Sequence, residues 1–195
     1  QADPAFLELV ELLSNPRDDR KLVKTMYDLH DFILSHPFPE SWLRERLALY
    51  DESISPQESV FGKKIFSYAA QALDYAMFLN QDAIQAISND AALEAAYFPS
   101  LKKDQELAEK LNVAVHERKW DVLREFLSQM KFCTLGRPKG IYDQELAQQI
   151  KRRRELFKKI LSNLKERQFL GNSEEYRRDI LELQPKVKAL FSLVS

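Results

Sequence analysis

The residues able to do chemistry are few, and their spacing limits what each can do. Cys133 is the single cysteine. As a nucleophile it would need a basic neighbour and a histidine partner brought close by the fold. Its setting, Met130-Lys131-Phe132-Cys133, reads as an apolar helix end, so a small packed side chain is expected. One thiol cannot form an internal disulfide and fits a reducing, cytoplasmic compartment. His30, His36 and His116 stand at none of the metal-ligand spacings. Gly62-Lys63-Lys64 lacks both the first glycine of a phosphate-cradling loop and the Ser or Thr that would follow the lysine. The carboxylate pairs Asp18-Asp19 and Glu174-Glu175 fall at expected helix starts, where the macrodipole already favours them. No catalytic residue, metal site or cofactor is therefore expected within these residues.

Charge is the feature with functional content. The net charge is −1, yet residues 137–167 carry ten Lys or Arg against four Asp or Glu, and the remainder carries 19 against 26. At roughly 100° per residue, Leu146, Ile150, Phe157, Ile160, Leu161 and Leu164 share one face of a helix and should pack inward. Lys151, Arg154, Lys158 and Lys165 then share a flank about 21 Å long at a rise of 1.5 Å per residue. Arg152 and Lys159 lie further out, and Arg137 and Lys139 precede the helix in a loop. Arg153 lands on the apolar face, where it should find a carboxylate or mark the helix leaving the core. Two readings stay open from these residues: a solvated helix face, or a contact to nucleic-acid backbone through Arg137, Lys139, Lys151, Arg152, Arg154, Lys158, Lys159 and Lys165. Such a contact would be to phosphate, without sequence preference.

Helices must position these groups. Only four glycines occur, which leaves little material for hairpins or strained loops. Asp3-Pro4 opens a first helix with Phe6, Leu9, Val10 and Leu13, and Asn15-Pro16-Arg17-Asp18 ends it. Leu22, Met26, Leu29 and Ile33 form a buried stripe, terminated at His36-Pro37-Phe38-Pro39. A short helix follows around Trp42, Leu43 and Leu47. Ser55-Pro56-Gln57-Glu58 reads as a capping box leading into a long, mostly apolar helix from Phe61 to about Ile87. Further helices are expected over Leu101–Val115, Trp120–Phe132 and Asp143–Phe169, with a last one after Gly171-Asn172-Ser173, bent at Pro185. No strand pattern or repeat is present, and no apolar stretch is long enough to cross a membrane. The expected fold is all-α: an irregular helical array over residues 1–195, one domain, with one long central helix and one long basic helix. The start at Gln1 rather than Met is what a segment of a larger protein would show.

Several runs resemble a known family. Phe6, Leu9-Val10, Arg17-Asp18-Asp19, Leu22-Val23, Met26-Tyr27, Phe32, Ser35-His36-Pro37, Pro39 and Trp42-Leu43 form the first. Trp120-Asp121, Leu123, Phe132, Leu135, Arg137-Pro138-Lys139-Gly140, Arg154 and Lys158-Lys159 form the second, and Leu183, Pro185-Lys186-Val187, Leu190 and Leu193-Val194 the third. Together they resemble the AddA (RexA) subunit of bacterial helicase–nucleases, in the UvrD/RecB-like superfamily. Residues 51–111 match none of its motifs. The resemblance implies a helical insertion between two ATPase motifs of the first motor domain, lying beside DNA. It implies a parent that is an ATP- and Mg²⁺-dependent DNA helicase and exonuclease, partnered by AddB (RexB) and active in double-strand break repair and recombination. A docking scaffold without DNA contact is the alternative, with Phe38 and Tyr97-Phe98 as its exposed aromatic patch.

Overall fold

The computed structural model describes residues 4–13, 20–50 and 54–194, and no strand occurs among them. The all-α expectation holds. The helices are α1 (Pro4–Leu13), α2 (Arg20–Leu34), α3 (Pro39–Ala48), α4 (Val60–Ile87), α5 (Ala91–His116), α6 (Trp120–Gln129), α7 (Gln144–Asn163) and α8 (Ser173–Val194). A single π-helical turn, Leu164–Gln168, follows α7. The chain forms two compact units, Gln1–Ser59 with Glu174–Ser195, and Val60–Ser173. The chain-start expectations at Asp3 and at Asn15 to Asp19 lie outside the described residues.

In the first unit α2 buries Leu22 and Ile33 and half-buries Met26 and Leu29, as its periodicity requires. Pro37 and Pro39 set the corner. Proline disfavours a helical residue before it, and Pro39 opens α3, where its missing N–H costs no bond. Across this corner the His36 ring stacks on Trp42 at 4.7 Å, and Phe32 meets Trp42 edge-on at 5.6 Å. α8 returns to the same place: Phe191 lies 6.2 Å from Trp42, and Gln184 Nε2 donates to the Tyr50 carbonyl at 2.8 Å. The Ser55-Pro56-Gln57-Glu58 run makes its own turn and not the first turn of α4. The Ser55 carbonyl accepts from Glu58 N and Ser59 N, both at 3.0 Å, and α4 begins only at Val60.

The second unit is built round α4, which buries Phe66, Ala69, Leu73, Ala76, Ala83 and Ile87. α5 starts ten residues before the sequence pattern placed it and runs through Pro99. An interior proline costs ~3 kcal/mol. Wholly buried Leu93, Tyr97 and Leu101 flank it, at about 1.5–3 kcal/mol each, so packing wins. The π turn has a similar cause. Leu164 and Phe169, five residues apart, would lie about 140° apart on an α-helix. The wider turn, closed by Phe169 N on the Leu164 carbonyl at 3.0 Å, lets both side chains be buried. Phe169 then packs with Trp120 and Phe66, at 5.0 and 5.7 Å.

Candidate nucleic-acid interface

α7 carries the basic run, and its register decides which cations reach solvent. Asp143 caps it, its side chain accepting from Leu146 N at 2.9 Å. The buried positions are Ala147, Ile150, Arg154, Phe157 and Leu161, continued by Leu164. Their spacing is three, four, three, four, three, and Arg154 occupies the middle of the row. The expected face was therefore displaced by one residue near its start, from Ala147 to Leu146, and this shift sent Arg154 to a flank it does not occupy.

Arg154 is 3 % exposed and is not a phosphate contact. Its Nε donates to Asp104 Oδ2 at 2.6 Å and its Nη2 to Asp104 Oδ1 at 3.2 Å, a two-pronged pair with a buried carboxylate. Nη2 also donates to the Cys133 carbonyl at 2.6 Å. Burying a guanidinium requires partners for its charge and its donors, and α5 and the Cys133 carbonyl supply both. Arg153, expected on the apolar face, sits at its edge and pairs with Asp82 of α4 at 3.1 Å.

The Cys133 carbonyl belongs to a segment fastened along α5. Thr134 O accepts from Ser100 Oγ at 3.0 Å, and Gly136 N donates to Ala96 O at 3.1 Å. Ala96, Ser100 and Asp104 are four residues apart and so line one face of α5. A β-carbon on Gly136 would stand 2.5 Å from the Ala96 oxygen, so this crossing requires glycine. The far end of the loop is held by Asp90. Its Oδ1 accepts from Ala92 N and Leu93 N, capping α5, and its Oδ2 accepts from Asp143 N at 2.9 Å. These bonds, Asp143's first, hold the Asp90 carboxyl below its ordinary range. Leu135 and Tyr142 pack against the core between the fastenings. The Cys133 side chain is exposed, against the packed position expected for it, because its backbone lies on α5 as an extended strap instead of ending a helix.

Arg137 and Lys139 stand exposed on this anchored loop, and Lys151, Arg152 and Lys159 on α7. None of the five has a carboxylate at ion-pair distance among the described residues. Lys158 differs: half-buried, it reaches Glu155 at 2.8 Å and lies 5.8 Å from the Phe132 ring centre. The Lys158 hydrogen bond, then its charge, holds the Glu155 carboxyl below the usual range. Lys165 is half-buried in the π turn. The structure thus separates the expected flank of Lys151, Arg154, Lys158 and Lys165, and leaves the outer cations available. Asp104, Asp90 and Gly136 were missed, since nothing local in the sequence says which partner a loop or buried charge will meet.

The other candidates take structural places. Gly62 is buried within α4, with Lys63 and Lys64 on the helix and not in a phosphate-cradling loop. No group of three His, Cys, Asp or Glu among the described residues could hold a metal ion. Tyr97, expected in an exposed aromatic patch, is 1 % exposed in the core, whereas Phe38 is 77 % exposed and Phe98 lies at the surface. No helix among the described residues is long and apolar enough to cross a membrane.

The fold and this surface define an all-helical segment organised about one basic helix and a loop strapped beside it. The chain matches no protein-family model. It is 33% identical, over an alignment of 200 positions that takes in 100% of the chain, to the ATP-dependent helicase/nuclease A subunit of Syntrophomonas wolfei. It is 29% identical over 98% of its length to the protein of that name from Anoxybacillus flavithermus, and 30% over 97% to that from Acetivibrio thermocellus. The match covers only 15–16% of each of those proteins. Over nearly its whole length, the chain is therefore similar to a segment of these helicase/nuclease A subunits.

Proposed function

We propose that this chain is the part of a helicase/nuclease A subunit that rests on the nucleic-acid backbone beside the motor, without base preference. The observation that carries this reading is the set of five exposed cations, Arg137, Lys139, Lys151, Arg152 and Lys159, that have no carboxylate partner among the described residues. Three stand on a helix packed into the core, and two on a loop fastened at both ends. Little ordering is then needed when phosphates arrive. The parent in this reading is an ATP- and Mg²⁺-dependent DNA helicase and exonuclease of double-strand break repair and recombination. It works in the cytoplasm with a partner of the AddB type, and its ATPase and nuclease residues lie outside this segment.

The test is fluorescence anisotropy of a labelled, tailed DNA duplex titrated with the chain at several salt concentrations. Five phosphate contacts predict a log–log salt slope of about −4.5, or several hundred-fold weaker binding between 50 and 200 mM salt. Neutralising the five cations together should remove most of that slope, whereas an unchanged slope would reject this surface. A second reading, a docking scaffold for the partner subunit, is favoured by Tyr68, Tyr75 and Phe78, all at least 49 % exposed along α4. It predicts partner capture that survives high salt and is lost when these three rings are truncated.

A further inference from the structure

Between its fastenings the basic loop holds out one apolar side chain. Ile141 is 100 % exposed. Gly140 before it takes φ +85°, a left-handed backbone open to glycine, and has nothing within 4 Å of where a β-carbon would stand. Tyr142 after it turns back onto the core. The loop therefore carries Ile141 outward while its own ends stay fixed. Ile141 does nothing for the fold. A β-branched side chain is stiff, so it presents a preset shape and loses little freedom on contact.

We propose that Ile141 is an apolar wedge that seats against the bases of an opening duplex end while Arg137 and Lys139 hold the adjoining phosphates. The inference rests on the nucleic-acid reading above and adds the part of the nucleic acid that is touched. The neighbouring charge selects this occupant. Lys139 lies within about 7 Å of Ile141 along the chain and Arg137 within about 14 Å, by the reach of an extended backbone. With each strand carrying a phosphate about every 3.4 Å of helix axis, both cations reach phosphates within a few steps of the base that Ile141 meets. Aliphatic side chains flanked by cations part stacked bases in other nucleic-acid complexes, and a duplex end is where unstacking is easiest.

The test uses the 195-residue chain and two duplexes, one with 2-aminopurine in the terminal pair and one with it in the middle. Fluorescence and anisotropy are read in the same titration at low salt. The expected result is a rise in fluorescence at the terminal position only, most of it lost in Ile141→Ser and kept in Ile141→Leu. The thermal midpoint should stay unchanged in both variants, because Ile141 packs on nothing within the protein, and the anisotropy read alongside shows that each variant is bound when its fluorescence is compared. Salt-sensitive binding with the same rise in Ile141→Ser overturns the wedge and leaves the backbone reading standing. No binding by any variant overturns both, and capture of the partner subunit that depends on Ile141 assigns the side chain to a protein contact instead.

Discussion

Arg152, Arg153 and Arg154 are consecutive on α7 and meet three different environments. Arg152 faces solvent, Arg153 shares a half-exposed ion pair with Asp82, and Arg154 is buried against Asp104 and the Cys133 carbonyl. The residue type is constant, so helical phase alone sets the role. On the outer side a guanidinium keeps its hydration and can exchange it for a phosphate at little cost. On the inner side desolvation is so expensive that the charge survives only with a matched carboxylate and further hydrogen-bond acceptors. The inner arginine consequently organises protein, holding the strap that presents Arg137 and Lys139, while the outer cations are free to meet something else.

Substitutions can break this contrast, beginning with the largest effect. Arg154→Ala should cost about 3–5 kcal/mol in chemical denaturation, because it leaves Asp104 buried without a counter-charge. Replacing Arg154 and Asp104 together by Met and Leu should recover much of that loss, and additive losses would show the pair is not coupled. Gly136→Ala should cost about 1–3 kcal/mol, the range for forcing an extra carbon into packed surroundings. Amide exchange should then rise over residues 133–142, and protection equal to that of the unsubstituted chain would mean that the strap tolerates a β-carbon. Arg153→Ala should change stability by no more than about 1 kcal/mol, as expected of a half-exposed pair. A loss as large as that of Arg154→Ala would erase the distinction between edge and interior.

The smallest effect concerns acidity. Asp90 has a folded-state pKa below its ordinary value of 3.8, so its contribution is full above that value and fades as pH falls through and below it. Exchange at the Asp143 amide, measured on both sides of pH 3.8, should quicken in acid beyond the intrinsic rate. Asp90→Asn should remove that pH dependence and quicken exchange already at neutral pH.

Several of the residues on which the resemblance to the AddA family rests hold the fold together. Trp120 Nε1 donates to the Gly171 carbonyl at 3.1 Å, and Asp121 accepts from Ser173 N at 2.8 Å and Ser173 Oγ at 2.6 Å. His36 and Trp42 stack across the Pro37–Pro39 corner, and Arg154 holds Asp104. Their spacing was readable in the chain. The partners of Trp120, Asp121 and Arg154, which stand 51, 52 and 50 residues away, were not.

Local physics in the sequence determined the helical class, the position of α2 and α4, the Pro37–Pro39 corner and the concentration of positive charge from Arg137 to Arg167. Each depends on neighbours within a turn or two: periodic burial, proline's fixed φ, and simple charge count. Tertiary structure decided the rest. It extended α5 through Pro99, widened the end of α7 so that Leu164 and Phe169 could both be buried, and drew Arg154 inward while leaving Ile141 outside. Those outcomes depend on packing energy and on distant partners, which outweigh local preference and which no window of sequence contains.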